Sequence, residues 1–157
     1  MKEIERKVAI VTGGGSGIGR AIAVRFARAA GRVAVVDVAE PAAREVAREI
    51  EACGGACLPV PCDVSRQADV ERAFQAIAQR LGPPDILVNS AGIAHVGTVE
   101  QTSEDDLDRL YAVNVKGVYN CMRAAGSRCW TWRSPRRGTW PARSRRAAAR
   151  GLPSPAT

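Results

Sequence analysis

The chain has 157 residues, 46% of them hydrophobic and 25% charged, a size and balance that suit one domain with a modest core. It has no apolar run near the roughly 20 residues of a membrane-spanning helix, so no membrane partner is expected. The net charge of +7 is unevenly placed: residues 1–125 hold fifteen basic and sixteen acidic side chains, and the last 32 residues hold eight arginines and no acid, so the body offers no electrostatic case for nucleic acid.

The opening Met1-Lys2-Glu3-Ile4-Glu5-Arg6-Lys7 lacks the apolar stretch of a secretory signal, and a cytoplasmic location is expected. Lys7–Thr12 then reads as an apolar strand. A helix follows over Gly17–Ala30, with Ile18, Ile22 and Phe26 on one face. Arg32–Asp37 is a second strand, and Pro41–Ala52 a helix with proline in its first turn. Cys57–Pro61 forms a short third strand. Ser65 is expected to cap a helix reaching Leu81, with Val70, Phe74 and Ile77 at helical spacing. Asp85–Asn89 is a fourth strand. Ser103 and the acids Glu104, Asp105 and Asp106 open a last helix carrying Leu107, Leu110, Val113 and Val118. Strands that alternate with helices and are apolar on both faces predict an α/β fold, a parallel sheet covered on two sides. Right-handed crossovers give the strand order 3-2-1-4.

The turn between the first strand and its helix, Thr12–Gly19, reads T-G-G-G-S-G-I-G. A glycine-rich turn in that position can seat a dinucleotide pyrophosphate on backbone N–H groups at a helix N-terminus. Gly13, Gly17 and Gly19 permit the tight turn and close approach, and Gly15, Ser16 and Ile18 complete the candidate cofactor loop. Asp37 closes the second strand 18 residues beyond Gly19, where a carboxylate can bond both ribose hydroxyls and repel a 2′-phosphate. NAD is therefore expected over NADP. Arg20 could partner a phosphate, but the carboxylate argues against it. Cys53, Cys57 and Cys62 lie four and five residues apart, which fits no common zinc pair, and His95 is distant, so no metal site is expected.

Five motifs in order extend the pattern: Thr12-Gly13-x-x-x-Gly17-Ile18-Gly19, Asp37, Cys62-Asp63-Val64, Asn89-Ser90-Ala91-Gly92 and Asn114-Val115-Lys116-Gly117. On these the chain resembles the short-chain dehydrogenase/reductase family over residues 5–125; Ser90 is a small departure, where the family more often has Asn. The resemblance implies a Rossmann-type sheet of which strands 1–4 are present, and hydride transfer between a nicotinamide and a small alcohol or ketone. It implies adenine contacts from Asp63 and Val64, with Asn89, Ala91 and Gly92 passing under the ribose. Asn114 matches the asparagine that positions a water for proton relay. His95 could edge the cleft, though an exposed loop histidine is the plainer reading. Intact relatives are homo-oligomers.

The same resemblance calls for a substrate-orienting serine and a Tyr-x-x-x-Lys beyond residue 125, the tyrosine's pKa lowered by the lysine. Lys116 is the last lysine and Tyr119 the last tyrosine, so that pair is missing; Tyr111 reads as a packing residue. Residues 126–157 hold no Ile or Val, all three tryptophans and four of the nine prolines, a composition expected to be disordered. Read one nucleotide upstream, the codons across Cys129–Arg133 return Leu, Asp and an apolar residue, as in a continuing amphipathic helix. A frame slip near residue 125 is the expectation, leaving a cofactor-binding half-domain, 1–125, that lacks its acid/base. The alternatives are a non-catalytic nucleotide-binding remnant, or nucleic-acid binding through the Arg/Trp tail.

Overall fold

The computed structural model describes residues 5–129. Four parallel strands form one sheet: β1 (Val8–Thr12), β2 (Arg32–Asp37), β3 (Ala56–Pro61) and β4 (Ile86–Asn89), in the spatial order β3-β2-β1-β4. Side chains alternate across the pleat. Val8 and Ile10 of β1, with Ala34 and Val36 of β2, join one buried cluster, and Val11, Val33 and Val35 join the other. Helices α1 (Gly17–Arg28) and α2 (Glu40–Ala52) cover the second cluster, through Ala23, Ala27, Ala43, Val46 and Ile50. The first is covered by α3 (Gln67–Leu81), through Val70, Phe74 and Ile77, and by the last helix through Cys121, Ala124 and Ala125. A sheet buried on both faces is the expected α/β architecture in the expected order.

Three local expectations are corrected. The face of α1 that meets the sheet is Gly19, Ala23 and Ala27; Ile22 and Phe26 only flank it, and Ile18 is 77% exposed. Gly19 sits against the Gly13 carbonyl of the turn, and Ala23 and Ala27 pack into the cluster of Val11, Val33 and Val35. Ser65 does not cap α3, which begins at Gln67 with Arg66 in the N-cap position; Ser65 lies one residue too early, in the Asp63 turn, where its hydroxyl donates to Asp63 Oδ1 at 2.7 Å. The last helix is not uniform. Ser103 caps α4 (Glu104–Tyr111), accepting from the Asp106 N–H at 3.2 Å while Asp106 Oδ2 accepts from the Ser103 N–H at 3.1 Å. A π segment, Ala112–Lys116, then widens the helix before α5 (Gly117–Cys129) continues it.

Leu107 and Tyr111, expected to pack, are 56% and 62% exposed, because no described residue covers that side of α4. Helix α5 runs four residues past Ala125. Of the Arg/Pro/Trp-rich segment expected to be disordered, residues 130–157 lie outside the described residues.

Candidate functional site

A cleft of about 600 Å³ opens at the carboxyl ends of the strands, walled by the β1–α1 turn, the ends of β2 and β3, the loop after β4, and α4. The turn is built by close approach. Gly13 has φ +62°, and a Cβ there would lie 2.7 Å from Ala91 Cα, so the loops after β1 and β4 touch backbone to backbone. A Cβ on Gly19 would overlap the Gly13 carbonyl oxygen. Gly17, at φ +51°, has nothing within 4 Å of such an atom and borders the cleft. Ser16 precedes α1 with an extended backbone, makes no side-chain cap, and no acid stands in the first turn. The N–H groups and positive dipole end of α1 therefore face the cleft without a counter-charge on their own helix, which suits an anion such as a pyrophosphate. Exposed Ile18 borders the same space.

Asp37 ends β2 with its carboxylate fixed at both oxygens: Oδ2 accepts from the Gly15 N–H at 2.9 Å, and Oδ1 from the Ala39 N–H at 3.0 Å. Gly15 is required for this, since a Cβ would meet Asp37 Oδ2 at 2.9 Å. Its amide thus serves Asp37, and Gly15 does not line the cleft. Arg20 is turned away. Its guanidinium bonds Glu49 at 2.9 Å and lies 3.7 Å from Glu45, both on α2.

The segment after β3 crosses the strand ends toward α5, where buried Asn120 donates to the Val64 carbonyl at 3.0 Å. Asp63 Oδ1 accepts from the Ser65 N–H at 2.9 Å, which folds the segment into a turn. Val64 is buried, and Ala91 and Val113 pack against the cluster it belongs to, making an apolar wall to the cleft. Gly92 also lines the cleft; a Cβ there would come 3.3 Å from Asn114 Oδ1. Asn114 is exposed and does not itself line the cleft. Its Oδ1 accepts from the Ile93 N–H and its Nδ2 donates to the Ile93 carbonyl, both at 2.9 Å, so the carboxamide holds the loop after β4. Asn89, level with Thr12 in the sheet, is exposed at the end of β4 and is not part of the cleft wall.

Three contributors are not legible as site residues in the sequence. Buried Thr12 accepts through its Oγ1 from the Ser90 and Ala91 N–H groups, each at 3.1 Å, tying the two loops together. Cys62 borders the cleft as an inert thiol: burial, then the neighbouring Cys121, Asp69 and Asp63, push it up to about 12. Arg109, on α4, is the only cationic side chain lining the cleft among the described residues. Its place one turn before Val113 is the signal that could have found it. His95 is exposed and lies 3.6 Å from Asp106, outside the cleft wall.

This geometry has close counterparts. An uncharacterized oxidoreductase of Thermotoga maritima is 42% identical over 113 residues, 72% of this chain and 44% of that protein. A D-threitol dehydrogenase of Mycolicibacterium smegmatis is 40% identical over 125 residues, 80% of this chain and 48% of that one. Among solved structures, a 3-ketoacyl-(acyl-carrier-protein) reductase of Brucella melitensis complexed with NADH superposes with a TM-score of 0.76 at 42% identity, covering 80% of this chain and 51% of that one. The chain thus spans about half the length of these relatives. The profile of the short chain dehydrogenase family matches residues 7–133, and the chain belongs to that family.

Proposed function

We propose that the cleft binds NAD and that residues 1–125 are the cofactor half of an oxidoreductase acting on a secondary alcohol or ketone. The carrying observation is Asp37. Both its oxygens are held by backbone N–H groups, and each keeps acceptor capacity for a ribose hydroxyl. A 2′-phosphate would meet the same fixed negative charge, while Arg20, the nearby cation, is committed to Glu45 and Glu49. The N-terminus of α1 would take the pyrophosphate, and Asp63 with Val64 would frame the adenine. Ala91 and Gly92 would leave room for the ribose beside the loop that Asn114 and Thr12 hold in place.

NAD, when bound, supplies the hydride acceptor. Proton transfer in the family needs a tyrosine assisted by a lysine, and neither residue type follows Tyr119. We therefore infer that these 157 residues bind the cofactor without turnover and that residues 126–157 come from a slipped reading frame. The composition of residues 126–157, eight arginines with no acid, Ile or Val, supports the second point. Asn114, read by resemblance as a relay residue, would act here through its clamp on Ile93.

Calorimetric titration tests the assignment. NAD+ is expected to bind at least about 100-fold tighter than NADP+, with the gap narrowing in D37A. Equal affinities, or turnover with simple secondary alcohols at 340 nm, would contradict it. Resequencing the gene without finding a slip would remove the account of the tail.

A further inference from the structure

We propose that Arg109 recognises the purine base of the bound dinucleotide through the face of its guanidinium group. This rests on the assignment of the cleft to NAD. The charged side chains lining the cleft are Asp37, Asp63 and Arg109. The two carboxylates are fixed by backbone donors, and Arg109 is the one long side chain among the three.

Its placement singles out the base. Arg109 lies three and four residues before Ala112 and Val113, and the helical repeat sets these residues on one face of the α4 helix and the start of the π segment. All three line the cleft, and Val113 packs with Val64 and Ala91 into its apolar wall, the surface suited to a flat ring. The pyrophosphate, by contrast, is served from the α1 side of the cleft.

Arg109 also makes no close ion pair. Asp105 stands four residues earlier, the favoured spacing and direction for a helical ion pair, yet no carboxylate lies within ion-pairing distance of Arg109 among the described residues. Asp106 is bonded by Ser103 and faces His95, and the Arg109 charge acts on it only from beyond ion-pairing distance. A planar, weakly hydrated cation left at the rim of an apolar slot is equipped to stack on an aromatic base, which an ammonium group does less well.

The test compares the parent chain with R109M and R109K, using NAD+, adenosine and nicotinamide mononucleotide as competitors of NADH fluorescence. R109M should weaken NAD+ and adenosine alike, by about 5-fold, and leave nicotinamide mononucleotide and the melting temperature unchanged. R109K should recover less than half of the loss. Unchanged NAD+ and adenosine binding in R109M overturns the inference, as does a loss confined to NAD+ with adenosine unaffected, which would mark a phosphate contact. If the parent binds NAD+ normally and R109M does too, only the inference fails; a parent that binds no NAD+ overturns both it and the assignment of the cleft.

Discussion

Gly13 and Gly17 both adopt positive φ, yet alanine should cost far more stability at Gly13 than at Gly17. At Gly17 the added Cβ meets nothing within 4 Å, so G17A pays only for left-handed backbone, about 1 kcal/mol. With roughly 4 °C per kcal/mol for a domain of this size, the protein should stay folded and melt slightly earlier. Its new methyl group borders the cleft, and NAD+ binding should weaken sharply. At Gly13 the same backbone cost is joined by an overlap with Ala91 Cα at 2.7 Å and Ala91 N at 2.8 Å, main-chain atoms that cannot rotate aside. Relief requires the loop after β4 to withdraw, breaking the two bonds that Thr12 Oγ1 accepts from Ser90 and Ala91, at about 1 kcal/mol each. The total of about 3–4 kcal/mol is a large part of the 5–15 kcal/mol typical of a domain. Thermal melts followed by circular dichroism, with NAD+ calorimetry on each variant, separate the two. A G13A protein as stable as G17A would refute the backbone-to-backbone account of the turn.

Thr12→Val should cost roughly 2–4 kcal/mol in urea denaturation, because it leaves the Ser90 and Ala91 N–H groups facing a methyl, whereas Thr12→Ser should retain most of the stability; equal effects would remove the hydroxyl from the account. Burial pushes the thiols of Cys57, Cys62 and Cys121 up from 9.0 to about 12, so above pH 9 the unfolded chain loses protons that the folded chain keeps. Stability should hold below pH 9 and fall as pH rises toward 12, and an identical fall in a variant with all three replaced by alanine would show that the thiols are not its source. At one sheet edge β3 carries Pro59 and Pro61, but at the other, among the described residues, half-buried Ile86, Leu87 and Val88 of β4 pair only with β1. Sedimentation velocity should find concentration-dependent association of the 157-residue chain; a monodisperse monomer would contradict this.

The strands and their order were readable because both faces of each inner strand are apolar, a pattern that only a sheet covered on two sides explains. Helix detail was less so. A search for large apolar side chains puts Ile18, Ile22 and Phe26 on the inner face of α1, but close approach to the turn requires Gly19, and Ala23 and Ala27 are the residues buried against the sheet valines. Ser65 looks like a cap, but the Asp63 turn starts the helix one residue later, with Arg66 in the N-cap position. The π segment at Ala112–Lys116 has no local signature that distinguishes it from ordinary helix. In the site, Asp37 and the glycines were legible because their chemistry is local in sequence. The Gly15–Asp37, Thr12–Ala91 and Asn114–Ile93 bonds join residues 21 to 79 positions apart, and spacing along the chain does not reveal such pairings.

Amide chemical shifts during titration with NAD+ test the central claim most directly. Saturable shifts should appear at Ser16–Gly19, Val38, Asp63, Val64 and Gly92, which line the cleft at the carboxyl ends of the strands. Arg32, Ala56 and Asp85, at the opposite end of the sheet, should stay unmoved. Shifts centred on that opposite end, or no saturable shifts at all, would contradict the placement of the cofactor across this cleft.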